Sequence, residues 1–230
     1  RSVSRGLGDV YKRQDLGLDR SMVAGYGHDD RICAYTSLLA LLETESTKKT
    51  SVVLLVDKEE VGSIGATGMQ SRFFENAVAE LMDRVGEYSE LKLRRALANS
   101  KMLSSDVTAA FDPNYAGAYE KKNSAFFGKG LAFAKYTGAR GKSGCNDANA
   151  EFVAWLRNVM DENDVAYQMA ELGKVDQGGG GTIAYILAEY GMEVIDCGVA
   201  LQNMHAPWEV ASKVDIFETM RGYKAFLMAE

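Results

Sequence analysis

The chain has 230 residues, 47% hydrophobic and 25% charged, which fits one globular α/β domain with a sizeable core. A formal net charge of −6 argues against non-specific nucleic-acid or anionic-membrane binding, and no apolar run approaches the roughly 20 residues that span a bilayer. Three widely spaced cysteines, Cys33, Cys145 and Cys197, form no CxxC pair and predict reduced, mostly buried thiols in a cytoplasmic protein.

Residues 1–14 are basic and aperiodic, with no signal-peptide pattern. They read as a linker or adaptor leader, and the domain is expected over 15–230. Gly25–Asp30 is a turn-rich loop. A helix follows from Arg31, with Ile32, Tyr35, Leu38, Leu39 and Leu42 on one face and Asp29 or Asp30 as its cap. The β-branched run Val52–Val56 predicts a buried strand, which places Glu59 and Glu60 at its C-terminal end.

Ser71 is an expected N-cap for a helix through Val85, with Phe74, Val78, Leu81, Met82 and Val85 facing inward. Further elements are a helix over Glu90–Ala98, a strand over Lys101–Val107 and a long polar loop to Ser124. A strand over Leu131–Tyr136 leads into a basic glycine loop at Thr137–Gly144. Asn146 or Asp147 caps the next helix, and Val165–Leu172 is a strand before Gly178–Gly181. Thr182–Tyr190 is helical with Gly191 after it, Met192–Val199 is a buried strand, and Val210–Leu227 is the last amphipathic helix. Strands alternating with helices predict a three-layer α/β/α sandwich around a mixed central sheet.

Chemistry concentrates at element ends. Two adjacent carboxylates repel unless a positive group lies beside them. A divalent metal answers that, with one Glu as ligand and its neighbour handling a proton on water. Asp29, Glu59, Glu60, Asp106 and His205 all fall at or just beyond predicted element ends, and carboxylates with one imidazole suit Zn²⁺, Mn²⁺ or Co²⁺. Each also has a bland reading as a solvated turn, a cap or a surface histidine. His28 and His205 are the only histidines, so imidazole ligands are scarce. Lys135, Arg140 and Lys142 form either a solvated basic loop or a site for a carboxylate or peptide end. The Gly178–Gly181 turn lacks phosphate-loop and dinucleotide spacing, and no GxSxG elbow surrounds Ser63 or Ser143.

The stretches GHDDRICAYT (27–36), LVDKEEVGSIGATGMQSRFFEN (55–76), SSDVTAAFDPNYAGAYEKKN (104–123), KYTGARGKSGCNDANAEF (135–152), QGGGGTIA (177–184) and QNMHAP (202–207) closely resemble the aspartyl aminopeptidase family of dinuclear metallopeptidases. The resemblance runs through almost everything after residue 15. It implies that Asp29 bridges two divalent metal ions, that Glu60 and His205 ligate one and that Asp106 ligates the other. It makes Glu59 the general base, and lines the substrate pocket with Lys135 and the glycine turn that contains Gly180. Zinc is the expected metal, with manganese or cobalt as alternatives. The expected reaction releases acidic or neutral N-terminal residues from peptides, by water activated between the metals.

The resemblance also implies a further ligating histidine, in an upstream HxD motif that this chain does not contain. The sequence therefore looks like an N-terminally truncated catalytic domain without a dimerisation insert. The full-length parent is expected to be a homo-oligomer, a dodecamer. The alternatives are an inactive fragment with a partial metal site and a related metal-dependent deacylase or carboxypeptidase.

Overall fold

The computed structural model describes residues 14–139, 143–174 and 179–229. The expected leader lies outside these residues except for Gln14, and so do Arg140, Lys142 and Gly178. In chain order the elements are β1 (Gln14–Leu16), β2 (Met22–Gly25), α1 (His28–Leu42), α2 (Phe73–Arg84), α3 (Glu90–Ala98), β3 (Lys101–Ser105), β4 (Thr108–Ala109), β5 (Leu131–Ala134), β6 (Tyr136–Ala139), β7 (Ser143–Asp147), α4 (Ala150–Glu162), β8 (Tyr167–Met169), α5 (Ala184–Ala188), β9 (Glu193–Gly198), β10 (Ala200–Gln202), β11 (Glu209–Ser212) and α6 (Lys213–Met228). No described helix is long and apolar enough to cross a membrane.

The core is built on a mixed four-stranded sheet in the order β3-β9-β5-β8. β3 runs parallel to β9, β9 antiparallel to β5, and β5 parallel to β8. Successive strand side chains point to opposite faces, and the sheet uses both. Ile195 and Cys197 of β9 join Leu131 and Phe133 beneath Phe152, Leu156 and Met160 of α4 and Tyr223 of α6. Val194 points the other way, into a cluster with Leu93 and Leu97 of α3 and Leu187 of α5. Met102 and Leu103 of β3 divide between the same two clusters. Helices therefore cover both faces, as the alternation of elements predicts. Each fully buried Leu or Phe adds about 1.5–3 kcal/mol of hydrophobic stabilisation.

A second sheet, in the order β1-β2-β11-β10-β4, extends from the first. The parallel pairing of β3 with β9 passes directly into that of β4 with β10, through Asp106 N–H to Cys197 O at 2.9 Å and Thr108 N–H to Val199 O at 3.0 Å. At this crossing a β-carbon on Gly198 would lie 1.9 Å from the Asp106 carbonyl oxygen, so only glycine lets the two chains approach. The crossing places Asp106 at the junction of the two sheets. β11 lies between β2 and β10, with Glu209 opposite Gly25. That register brings the turn before α1 beside the turn after β10.

Several local expectations are corrected. Val52–Val56 forms no strand ladder, because no described strand pairs with it. Val52 and Leu55 are exposed, and Leu54 and Val56 pack partly buried against the α3–α5 side. Apolar content gave that run its strand character, but a strand also needs a neighbour for its backbone groups. In α1, Ile32, Cys33, Thr36 and Ala40 are buried while Tyr35, Leu38 and Leu42 are exposed. The small residues let α1 pack closely on α6, where Ala40 joins Tyr223 and Ala225.

Leu81 of α2 and Val85, the residue that ends it, are exposed, and Ser71 lies one residue outside the N-cap Arg72, its Oγ accepting from Phe73 N–H. Asn146 and Asp147 end β7 rather than cap α4, whose N-cap is Asn149. The described residues of the predicted basic loop Thr137–Gly144 belong to strands β6 and β7. The first turn of the predicted last helix is strand β11, because Glu209–Ser212 pairs along β2.

Candidate metal centre

Four loops or element ends converge beside the junction of the sheets. Gly27, with φ +70°, turns the chain out of β2 and presents Asp29 and Asp30 at the start of α1. Asp30 Oδ1 accepts from Cys33 N–H at 3.3 Å, so Asp30 is the capping residue of the predicted pair. Asp106 follows the last residue of β3, with its Oδ1 2.8 Å from Val107 N. His205 stands between β10 and β11 in left-handed backbone, with φ +63°. Glu59 and Glu60 sit on a 3-10 turn bounded by positive φ at Lys58 and Gly62, rather than on a strand end. Successive side chains on such a turn diverge by about 120°.

The convergence makes two overlapping groups. Asp29, Glu60 and His205 each offer a donor atom within 4.8 Å of the others, and so do Asp29, Asp30 and Asp106. His205 Nε2 lies 2.8 Å from Asp29 Oδ2 and 3.3 Å from Glu60 Oε1. Asp29 alone belongs to both groups. Asp30 entered the sequence reading only as a cap. Its signal is the Asp-Asp pair itself, since an aspartate next to Asp29 shares its location.

The electrostatics are those of a site short of positive charge. Burial and the charge of Glu60 push the Asp29 carboxyl up to about 6, against the pull of His205. Burial, then Glu60 and Asp29, push Glu59 up to about 7. Burial pushes Asp30 up to about 8 although its bond to Cys33 opposes this, and Asp29 adds to the rise. Asp106 is held well above the usual carboxylate range by burial and by Asp30, Glu59 and Asp29. A divalent cation would supply the missing charge, and oxygen donors with one imidazole suit zinc. The residues present therefore fit a metal. The Asp29–Asp30–Asp106 group contains oxygen donors only.

The cluster lines a cavity of about 1170 Å³, together with apolar residues such as Leu54, Met82, Leu97, Leu103 and Phe226. Lys135 and Gly180 do not line it. Lys135 forms an ion pair with Asp147 on the β6–β7 hairpin. The glycine turn packs on the same hairpin, where a β-carbon on Gly179 would meet Gly138 O at 2.4 Å. No disulfide joins the three cysteines among the described residues, and Cys33 and Cys197 are buried.

Comparison with known proteins places these observations. The family model described as aminopeptidase I zinc metalloprotease (M18) matches residues 3–227. A curated relative from Clostridium acetobutylicum, named as a probable M18 family aminopeptidase 1, is 70% identical over 216 residues, which are 94% of this chain and 46% of the relative. The crystal structure of aminopeptidase I from that organism matches with a TM-score of 0.87 at 69% identity, covering 94% of this chain and 46% of the solved one. An M18 aminopeptidase structure from Thermotoga maritima matches with a TM-score of 0.92 at 46% identity, covering 96% of this chain and 49% of the other. The chain spans about half the length of the relatives it matches.

Proposed function

Because this chain belongs to the M18 family of aminopeptidase I zinc metalloproteases, we propose that it carries most of the metal centre of an enzyme that releases acidic or neutral N-terminal amino acids from peptides. The observation that carries this reading is the position of Asp29, common to a carboxylate–imidazole group and an all-carboxylate group. That arrangement suits two neighbouring divalent cations, zinc first. When bound, the cations supply Lewis-acid polarisation of the scissile carbonyl and make the attacking water more acidic.

The remaining chemistry belongs to the chain's own residues. Asp29 fixes the distance between the two groups. Glu60 and His205 hold one of them, and Asp106 with Asp30 the other. Glu59 stands beside both without belonging to either, and its raised affinity for a proton suits a base working near neutral pH. It takes the proton of the attacking water and returns it to the departing amine. The apolar wall of the cavity excludes water from the reacting bond. Lys135 and the turn at Gly180 are assigned to substrate contacts outside this cavity. A cytoplasmic location and homo-oligomeric assembly of the longer polypeptide complete the reading.

A specific observation favours a second reading for the chain alone. The group of Asp29, Asp30 and Asp106 has no nitrogen donor, whereas the group of Asp29, Glu60 and His205 has one. On that reading the chain by itself binds one metal firmly and is a poor catalyst. Calorimetric titration with zinc, run beside a chromogenic aminoacyl-anilide assay, separates the two. Two equivalents with turnover support the peptidase reading for this chain. One equivalent without turnover assigns activity to the longer polypeptide. No metal bound at all overturns both.

A further inference from the structure

Beneath the centre, one buried carboxylate reaches both turns that carry its ligands. Glu209, the first residue of β11, is 2% exposed. Its Oε2 accepts from His28 N–H at 2.5 Å and from Asp29 N–H at 3.2 Å. Its Oε1 accepts from His205 N–H at 2.9 Å. One side chain therefore ties the start of α1 to the turn between β10 and β11. The tie is needed because neither turn is held by regular structure. Asp29 and Asp30 have non-helical dihedrals although they lie at the start of α1, and His205 adopts a left-handed conformation that disfavours a residue with a β-carbon by about 1–2 kcal/mol. A buried carboxylate also needs several N–H donors to be tolerated, and these three backbone groups supply them.

We propose that Glu209 is a positioning residue of the metal centre, which sets Asp29 and His205 in ligating register through their backbone amides before a metal arrives. It touches no reacting atom and acts through two ligands. The inference rests on the metallopeptidase reading, because it assumes that Asp29 and His205 ligate. Chain length matters in this arrangement. Aspartate keeps the charge but is one methylene shorter and cannot span both turns. Glutamine keeps the length, yet its amide nitrogen must face one of the N–H groups, so one tie is lost.

The test uses the whole chain. Backbone amide exchange is measured on the metal-free protein, and Co²⁺ alone is titrated into it, followed by calorimetry and visible absorption. Glu209→Gln is then titrated in the same way. Slow exchange at His28, Asp29 and His205 is expected in the parent chain. In Glu209→Gln, cobalt affinity falls about 10- to 100-fold, the range for groups that orient metal ligands, and the visible bands change while circular dichroism does not. Unchanged affinity and spectrum in the variant overturn the proposal. Exchange at the three amides as fast as in open loops overturns it as well. If Glu209→Gln does not fold, Glu209→Asp takes its place with the same expected and overturning results. A parent chain that binds no cobalt but protects the three amides defeats the metallopeptidase reading and leaves the tie standing, so the two failures are distinguishable.

Discussion

His205 Nε2 lies 2.8 Å from Asp29 Oδ2, joining a turn near the start of the chain to one near its end. The contact exists because β11 pairs with β2 on one side and β10 on the other, which brings the two turns together at one end of these strands. An imidazole and a carboxylate at that spacing interact even without a metal. With Glu60 Oε1 3.3 Å from the same nitrogen, they make a three-donor site.

Glu59→Gln and Asp29→Asn are expected to fail in different ways in a full-length enzyme carrying these residues. Glu59 belongs to neither donor group, so its amide variant should keep its metal and lose turnover, with kcat down about 100- to 10,000-fold. Asp29 belongs to both, so Asp29→Asn should weaken both metal equivalents as well as turnover. Metal content by atomic absorption beside steady-state kinetics checks the pair.

The two groups should also separate by mutation. His205→Ala removes the nitrogen donor of one group and leaves Asp29, Asp30 and Asp106 in place. Asp106→Asn does the reverse. The expected outcome is that His205→Ala abolishes the tighter zinc equivalent, while Asp106→Asn spares it and weakens the other. Calorimetric titration of the two variants reads this directly.

Glu171 predicts a pH dependence away from the centre. Burial pushes its carboxyl up to about 7 from 4.5, against the opposing bond from the Tyr136 backbone. Between those values the native state keeps a proton that the unfolded state has released. The contribution of Glu171 to stability is therefore full below about pH 4.5 and is lost as pH rises through about 7. Glu171→Gln cannot titrate, so its melting temperature should fall less than that of the parent between pH 5 and pH 8. Thermal melts across that range, on metal-free protein, isolate the effect by difference.

Helix α1 offers a packing test. Ala40 is fully buried against Tyr223 and Ala225, and Leu42 is 71% exposed. Ala40→Leu should destabilise by about 1–3 kcal/mol through overpacking against α6. Leu42→Ala should stay within about 0.5 kcal/mol of the parent. Urea unfolding of both variants checks the assignment of faces, which is the reverse of what leucine content suggests.

Residue types and position in the chain marked the candidate site residues, and the family resemblance supplied their expected roles. Asp29, Asp106 and His205 lie at or just beyond element ends, a position type legible in one dimension, whereas Glu59 and Glu60 sit on a 3-10 turn without the strand expected before it. Fold class was legible for the same reason, since alternating periodicities report which face of each element is apolar. The last strand and helix show the limit. Val210–Ser212 reads as part of an amphipathic helix until the pairing of β11 with β2 is known, because local pattern does not reveal a partner strand. Val52–Val56 fails in the opposite direction, apolar enough for a strand but without a described neighbour to pair with.

Sequence by itself determined the chemical inventory: carboxylates, one available imidazole, and the apolar runs that build a layered α/β core. Tertiary structure decided how that inventory is grouped. It set Asp29 between two donor groups, the grouping the family resemblance implies, and it alone brought Asp30 into one of them and placed Glu209 beneath the turns of Asp29 and His205. Those relations depend on strand register and on close backbone approach at Gly198. Both are set by hydrogen bonding and steric fit between segments far apart in the chain, which no local pattern encodes.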